Sequence, residues 1–221
     1  MKPQYINIIK DQSVLIIGSG RTIKDHYQSI KNYIAKNSPI IFGINRMTGF
    51  FTPHFHLWTN KQRYRDLGQC IKKKSQMMFG QGIPHSLIRK HHKGKYFVVY
   101  YKDSVKYSNK LVITKEGVLK SFFRTAGSLA VALTKAMGAK TINMVGIDGF
   151  SLHSKKDLKK KRKSHHCYGK GFTDDASYEK EVEKDKIVYN SYKVMSKYGI
   201  DFKILTPTKY KKFFDPSVLG V

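Results

Sequence analysis

The stretch Ser13-Val14-Leu15-Ile16-Ile17-Gly18-Ser19-Gly20-Arg21 decides the fold. Four consecutive apolar residues, three of them β-branched, run into a glycine pair, the pattern of a strand buried on both faces of a parallel sheet. Over 22–36, Ile23, Tyr27, Ile30 and Ile34 recur at spacings of four, three and four, which predicts one helix directly after the glycines. A strand that turns through glycine into a helix leaves main-chain amides at the helix start, where an anion is favoured. Gly18, Ser19 and Gly20 are therefore candidate phosphate contacts, with a tight strand-helix turn without a ligand as the alternative.

Further strands are read outward from this one. Residues 39–45 form a second apolar run ending in Asn45, and 54–60 a third ending in Asn60. His54 and His56 alternate with Phe55 and Leu57, predicting a strand with one polar face. Shorter runs follow at 76–79, 96–101 and 111–114. Ala126, Leu129, Ala130, Leu133 and Met137 share a helical face within 122–137, with Gly138 as its C-terminal cap. Residues 141–148 make the clearest strand of the second half and end in Asp148. The polar, basic segment 149–176 reads as a lid loop. A helix over 178–198, with Val188, Tyr192 and Met195 on one face, leads to a closing strand at 202–205. Strands alternating with helices predict an α/β fold. The expected architecture is a single Rossmann-like domain over 1–221, a mostly parallel sheet with helices on both faces and a basic lid insertion. Ligands of such sheets sit beyond the carboxyl ends of the strands.

Composition narrows the function. Lys and Arg number 42 against 15 Asp and Glu, so the 221 residues carry a formal +27, while 40% hydrophobic residues supply a core and exclude global disorder. Such charge indicates an anionic partner: a nucleotide, an anionic lipid or a nucleic acid. Aromatics are not interleaved with the basic blocks, and RNP, KH and zinc-finger spacings are absent, which disfavours nucleic acid. Two cysteines, Cys70 and Cys167, cannot build a disulfide framework. With no signal peptide and no apolar run of ~18 residues, the chain is expected to be cytoplasmic, at most peripheral on the inner face of the cytoplasmic membrane.

The glycine turn departs from a dinucleotide fingerprint, since Ile23 stands at the third glycine and Asn45 where an acidic residue would bind ribose. Asn45 and Asn60 suit recognition of a ribose or base edge, or else ordinary turn chemistry. Thr125, Gly127 and Ser128 open a helix, as a second phosphate cradle or as a plain cap. Asp148 suits a ribose, a substrate hydroxyl or a metal, or caps the next turn. The adjacent His165, His166 and Cys167 have no metal-ligand spacing, so no metal is expected there.

Val14-Leu15-Ile16-Ile17-Gly18-Ser19-Gly20, Asn45, Asn60, Thr125-Ala126-Gly127 with Gly138-Ala139-Lys140, Val145-Gly146-Ile147-Asp148 and the stretch from His166 to Asp174 follow one another in a familiar order. Over about two-thirds of its length the chain resembles bacterial sialyltransferases that use CMP-sialic acid, and the wider set of MptE-like (6-hydroxymethylpterin diphosphokinase-like) and motility-accessory-factor domains. The resemblance implies a Rossmann-like domain that binds a CMP-sugar at the strand ends without an obligatory cofactor or metal. It implies that Gly18, Ser19 and Gly20 face phosphate and sugar, with Ser19 in place of Asn. Asn45 and Asn60 would hold the donor, with Thr125 and Gly127 beside the phosphate and Ser128 substituting for the Ser that Ala126 replaces. Phe150 stands where the family has a tyrosine that assists phosphate departure. The family's catalytic histidine falls at Lys170, so His165 or His166 would act as base, with Tyr168 on the phosphate.

The expectation is an inverting glycosyltransferase that moves an acidic sugar from a CMP donor to a bacterial surface glycan or a lipid-linked acceptor. It requires Ser19, Asn45, Asn60 and Gly127 to line one cavity. The alternatives are an MptE-like diphosphokinase using ATP and magnesium, with Asp148 and Asp174 or Asp175 on the metal, and a non-catalytic nucleic-acid-binding module.

Overall fold

The computed structural model describes residues 4–47, 49–71, 74–153, 164–169 and 177–220. Its centre is an all-parallel sheet of seven strands: β1 (Ser13–Ile17), β2 (Ile40–Ile44), β3 (Phe55–Trp58), β4 (Gln76–Gly80), β5 (Tyr96–Val99), β9 (Thr141–Val145) and β10 (Phe202–Ile204). They lie in the order β10-β9-β1-β2-β3-β4-β5. Val14, Leu15, Ile16 and Ile17 are all buried because β1 pairs with β2 on one side and β9 on the other, under helices on both faces. The chain winds outward from β1 to β5 and then returns to β9 on the opposite side. The reversal between β1 and β9 opens a crevice at the carboxyl ends of those two strands. The fold is Rossmann-like, as the alternation of elements predicts.

Several elements differ from the sequence reading. The single helix expected over 22–36 breaks at His26 into α1 (Thr22–Asp25) and α2 (Tyr27–Asn37). α1 packs Ile23 over Gly146, while α2 lays Ile30 and Tyr33 on the core, so the break aims two short apolar faces separately. α3 (Lys61–Leu67) and α4 (His85–His91), seven residues each, had no periodic signal. The strand expected over 96–101 divides at Tyr100. β6 (Tyr101–Asp103) joins β7 (Val112–Ile113) and β8 (Leu119–Ser121) in a separate three-stranded sheet. β8 was not expected, because only Leu119 in it is apolar. His56 lies on no polar face: both faces of the parallel sheet are covered and the ring is fully buried.

α5 (Ala126–Ala136) is the most apolar helix and packs across β1, β2, β3 and β9. α6 (Tyr178–Lys197) packs against α5. Of the expected lid, residues 149–153 and 164–169 are described. The second piece is fastened to the glycine turn, with Arg21 donating its amide to the His165 carbonyl at 2.9 Å and Cys167 donating to the Ser19 carbonyl at 3.0 Å.

Candidate functional site

A cavity of about 390 Å³ opens at the carboxyl ends of the central strands. Ser19, Asn45, Asn60 and Gly127 all line it, together with Thr125 and Asp148. Gly18, Gly20, His165 and His166 also reach its wall.

Proximity does not make every one of these groups available. In the glycine turn, Gly18 donates its amide to Val145 O and Gly20 donates to Gly146 O, both at 2.9 Å. Arg21 is committed to His165, and Thr22 donates to Asp148 Oδ2 at 2.9 Å. Four of the five amides from 18 to 22 are thus spent on holding the fold. At Gly18-Ser19-Gly20, where a phosphate cradle is expected, the Gly18 and Gly20 amides join β1 to the end of β9, and Ser19 keeps its place on the cavity wall. The glycines are required sterically, since a Cβ on Gly20 would strike the Asp148 carboxylate and come within 2.7 Å of Gly146 O.

Asp148 does not cap the turn that follows it. Its carboxylate, 4% exposed, reaches across to α1, taking the amide and the hydroxyl of Thr22, and lies 3.2 Å from His153 Nε2. Thr206 reinforces the joint, its hydroxyl meeting Thr22 Oγ1 and the Gly146 amide at 3.0 Å each.

The start of α5 is different. Thr125 is its N-cap, and its hydroxyl accepts the Ser128 amide at 3.2 Å. That leaves the Ala126 and Gly127 amides, which have no acceptor inside the helix, at the cavity wall with the positive end of the helix dipole. Tyr192, on α6, stands over this terminus: a Cβ built on Gly127 would lie 3.1 Å from its hydroxyl. The ring is fully buried, and its hydroxyl has no hydrogen-bond partner among the described residues. Burial pushes the Tyr192 phenol up, so it remains a proton-bearing donor. Ser128 was expected here, but its side chain is fully buried and bonds to Phe123 O and Thr125 O, and the residue does not line the cavity.

Asn45 stands opposite in sequence and chemistry. It adopts a left-handed conformation, φ 50°, uncommon outside glycine but tolerated by Asn. His56 stabilises this turn by donating from Nε2 to the Asn45 carbonyl at 2.5 Å. Desolvation lowers the His56 pKa to about 4, which keeps the ring neutral. The Asn45 side chain is left in the cavity, where its carboxamide oxygen is buried without a partner among the described residues. Asn60 is divided between roles: its side-chain oxygen caps α3 by accepting the Arg63 amide at 2.8 Å, while the residue also borders the cavity. Arg63 and Arg124 add cationic side chains to the lining.

On the lid, the His165 carbonyl is tied to Arg21, and its Nε2 lies 3.9 Å from Glu181 Oε1. The His166 ring stacks on Tyr168 at 4.9 Å, and Arg46 sits over the Tyr168 ring at the same distance. Tyr168 does not line the cavity. Asp185 fixes the start of the lid, accepting the amides of Phe150 and Ser151 at 2.8 Å each and the Tyr210 hydroxyl at 2.8 Å. Lys170, Asp174 and Asp175 lie outside the described residues, as does the basic block 155–163. Among the described residues, no group of three or more His, Cys, Asp or Glu side chains is placed to hold a metal ion, and no helix is long and apolar enough to cross a membrane.

The sequence reading missed Tyr192, Arg63 and Arg124 as cavity residues, and missed His153, Glu181 and Asp185, which hold Asp148 and the lid pieces around it. One signal was present. Glu181, Asp185, Val188 and Tyr192 recur at helical spacing, so the buried face of α6 begins with two acids, which are seldom buried without a partner. The chain matches no protein-family model and no curated protein.

Proposed function

We propose that the protein is a glycosyltransferase that takes a sugar from a nucleotide-activated donor, with a CMP-linked acidic sugar as the donor class and a surface glycan or lipid-linked glycan as acceptor. The observation that carries this reading is the start of α5, where the Ala126 and Gly127 amides have no acceptor inside the helix and border the cavity, and where the Tyr192 hydroxyl, without a partner among the described residues, lies beside Gly127. Three donors beside a helix N-terminus suit a phosphate oxygen better than a neutral ligand. Tyr192 supplies the phenol that Phe150, on the same cavity, lacks. Asn45 holds the nucleoside, and Arg63 and Arg124 offset the charge of an acidic sugar.

In the transfer, the acceptor oxygen forms a bond to the anomeric carbon while the carbon–oxygen bond to phosphate breaks. The electron pair leaves with CMP, where the α5 amides and Tyr192 stabilise it. A lid histidine, His165 or His166, takes the acceptor hydroxyl proton. The diphosphokinase alternative fits less well, because both Asp148 oxygens already accept from Thr22 and one also meets His153, leaving Asp148 poorly suited to magnesium.

Thermal shift with CMP, UMP, ADP and NAD, and with ATP in the presence and absence of magnesium, tests the reading. CMP is expected to stabilise most, and a product assay with CMP-sugars then identifies the donor. Stabilisation by NAD alone, or by ATP only with magnesium, overturns it.

A further inference from the structure

Six arginines lie among the described residues, and the fold engages four of them. Arg21 Nε sits 3.4 Å from Asp25 Oδ1, and Arg46 covers the Tyr168 ring. Arg65 donates to Gln62 Oε1 at 2.9 Å, and Arg89 donates to Lys93 O at 2.6 Å. Arg63 and Arg124 differ. Neither guanidinium has a hydrogen bond, an ion pair or a ring contact among the described residues, and these two alone of the six line the cavity. Only seven of the chain's 42 basic side chains are arginine, yet no described lysine reaches the cavity wall. A lysine offers a point charge, whereas an arginine offers a planar fork of donors that matches a carboxylate.

Arg124 is held there against its backbone preference. Its φ is 60°, and the Thr125 amide bonds back to Phe123 O at 2.7 Å, closing a three-residue γ-turn around it. Glycine takes such a conformation without a Cβ penalty, and strain of this kind gathers at ligand sites. Tyr101 links the two arginine-bearing segments. Its ring meets Phe123 edge-on at 6.3 Å. On its other side, a Cβ built on Gly80 would lie 3.1 Å from the Tyr101 ring and 3.3 Å from Thr59 Cα, just before the Asn60 cap of α3. The segments carrying Arg63 and Arg124 therefore border the same part of the cavity. Asp103 also lines it and accepts the Arg124 amide at 3.5 Å, without an ion pair to either guanidinium among the described residues.

We propose that Arg63 and Arg124 form a second anion subsite, which clamps the sugar carboxylate of the donor and selects acidic over neutral sugars. The inference rests on the CMP-sugar reading and assigns that reading its specificity-determining residues. The phosphate has its own place at the α5 amides and Tyr192. A carboxylate presents two oxygens in one plane, and the edge of a guanidinium pairs with both.

Calorimetry with CMP, CDP, CMP-N-acetylneuraminate and the methyl ester of that sugar nucleotide tests the clamp. Wild type is expected to bind the free-acid donor about tenfold more tightly than the ester, the worth of a charge-assisted hydrogen bond. Arg63→Ala and Arg124→Gly should each remove most of that difference and leave CMP affinity nearly unchanged. Arg124→Lys keeps the charge without the fork and should restore only part of it. Because glycine suits the turn, the thermal midpoint of Arg124→Gly is expected to hold or rise, which separates lost binding from lost folding. Equal wild-type affinity for acid and ester overturns the proposal. So does an equal loss of CMP and acid-donor affinity in the variants, or an arginine-dependent gain with CDP and none with the acid, which assigns the pair to phosphate. A second readout needs no nucleotide: N-acetylneuraminate, and not N-acetylglucosamine, is expected to protect Arg63 and Arg124 from phenylglyoxal. Protection without CMP binding keeps the clamp and sinks the nucleotide reading, and CMP binding without an acid–ester difference does the reverse.

Discussion

Asp148 and Thr22, 126 residues apart, are joined twice: Asp148 Oδ2 accepts the Thr22 amide at 2.9 Å and Oδ1 accepts the Thr22 hydroxyl. This pair locks the end of β9 to the first turn of α1 at the point where the sheet reverses direction. A carboxylate at the mouth of a Rossmann-like crevice invites a ligand role, but here both oxygens are engaged by the fold. Asp148→Ala strands the buried Thr22 amide and leaves the Thr22 hydroxyl only Thr206, and is expected to cost about 2–4 kcal/mol in urea denaturation. Gly20→Ala, whose new Cβ would strike the same carboxylate, is expected to lose stability on a similar scale. Unchanged stability in Asp148→Ala, with ligand binding alone lost, would contradict the structural role.

Tyr192→Phe separates binding from folding. The hydroxyl has no partner among the described residues, so removing it breaks no hydrogen bond among them. Thermal stability is expected to hold within experimental error or to rise slightly. CMP affinity, read by calorimetry, should fall about tenfold, the worth of one hydrogen bond to a charged group. A large stability loss with unchanged CMP affinity would place the phenol in the fold instead.

Stability should fall in mild acid because of His56. Its folded pKa, near 4, lies below the ordinary value of 6.5, and the cause is burial. Between those values the unfolded chain binds a proton that the folded chain does not, so unfolding becomes easier as pH falls. The contribution is complete above pH 6.5 and is lost progressively toward pH 4, on the order of 3 kcal/mol in all. His56→Gln, which retains a donor for the Asn45 carbonyl, should flatten that part of the profile. Urea midpoints from pH 7 to pH 4 measure it.

Cys167 reports on the lid. The thiol is buried against the glycine turn, and desolvation, with the nearby Asp148 charge, pushes its pKa up to about 12. Alkylation needs the thiolate, so iodoacetamide at neutral pH is expected to label half-buried Cys70 in the native protein and Cys167 only after unfolding or undocking of residues 164–169. Mass spectrometry of labelled peptides over time checks this. Slower Cys167 labelling with CMP bound would show that the donor holds the lid shut.

Legibility varied with the range of the interaction. Val14 to Gly20 read plainly because a run of β-branched residues ended by glycine has few other structures. Val188, Tyr192 and Met195 were legible as one helical face, yet nothing local says that Tyr192 ends above Gly127. α3, α4 and β8 were invisible for the opposite reason: seven-residue helices and a strand with one apolar residue have too few positions to show a period. His56 looked like half of a polar face because its covering layer comes from elsewhere in the chain.

By itself, then, the sequence determined the parallel α/β architecture, the strand ends around which the cavity opens and the excess of positive charge. These follow from local periodicity and composition, which each segment carries alone. Tertiary structure decided which donors remain available. It spent the amides of Gly18, Gly20, Arg21 and Thr22 on β9 and the lid and left those of Ala126 and Gly127 beside Tyr192. A hydrogen bond is satisfied by whatever group the fold brings within about 3 Å, and that partner can lie more than a hundred residues away.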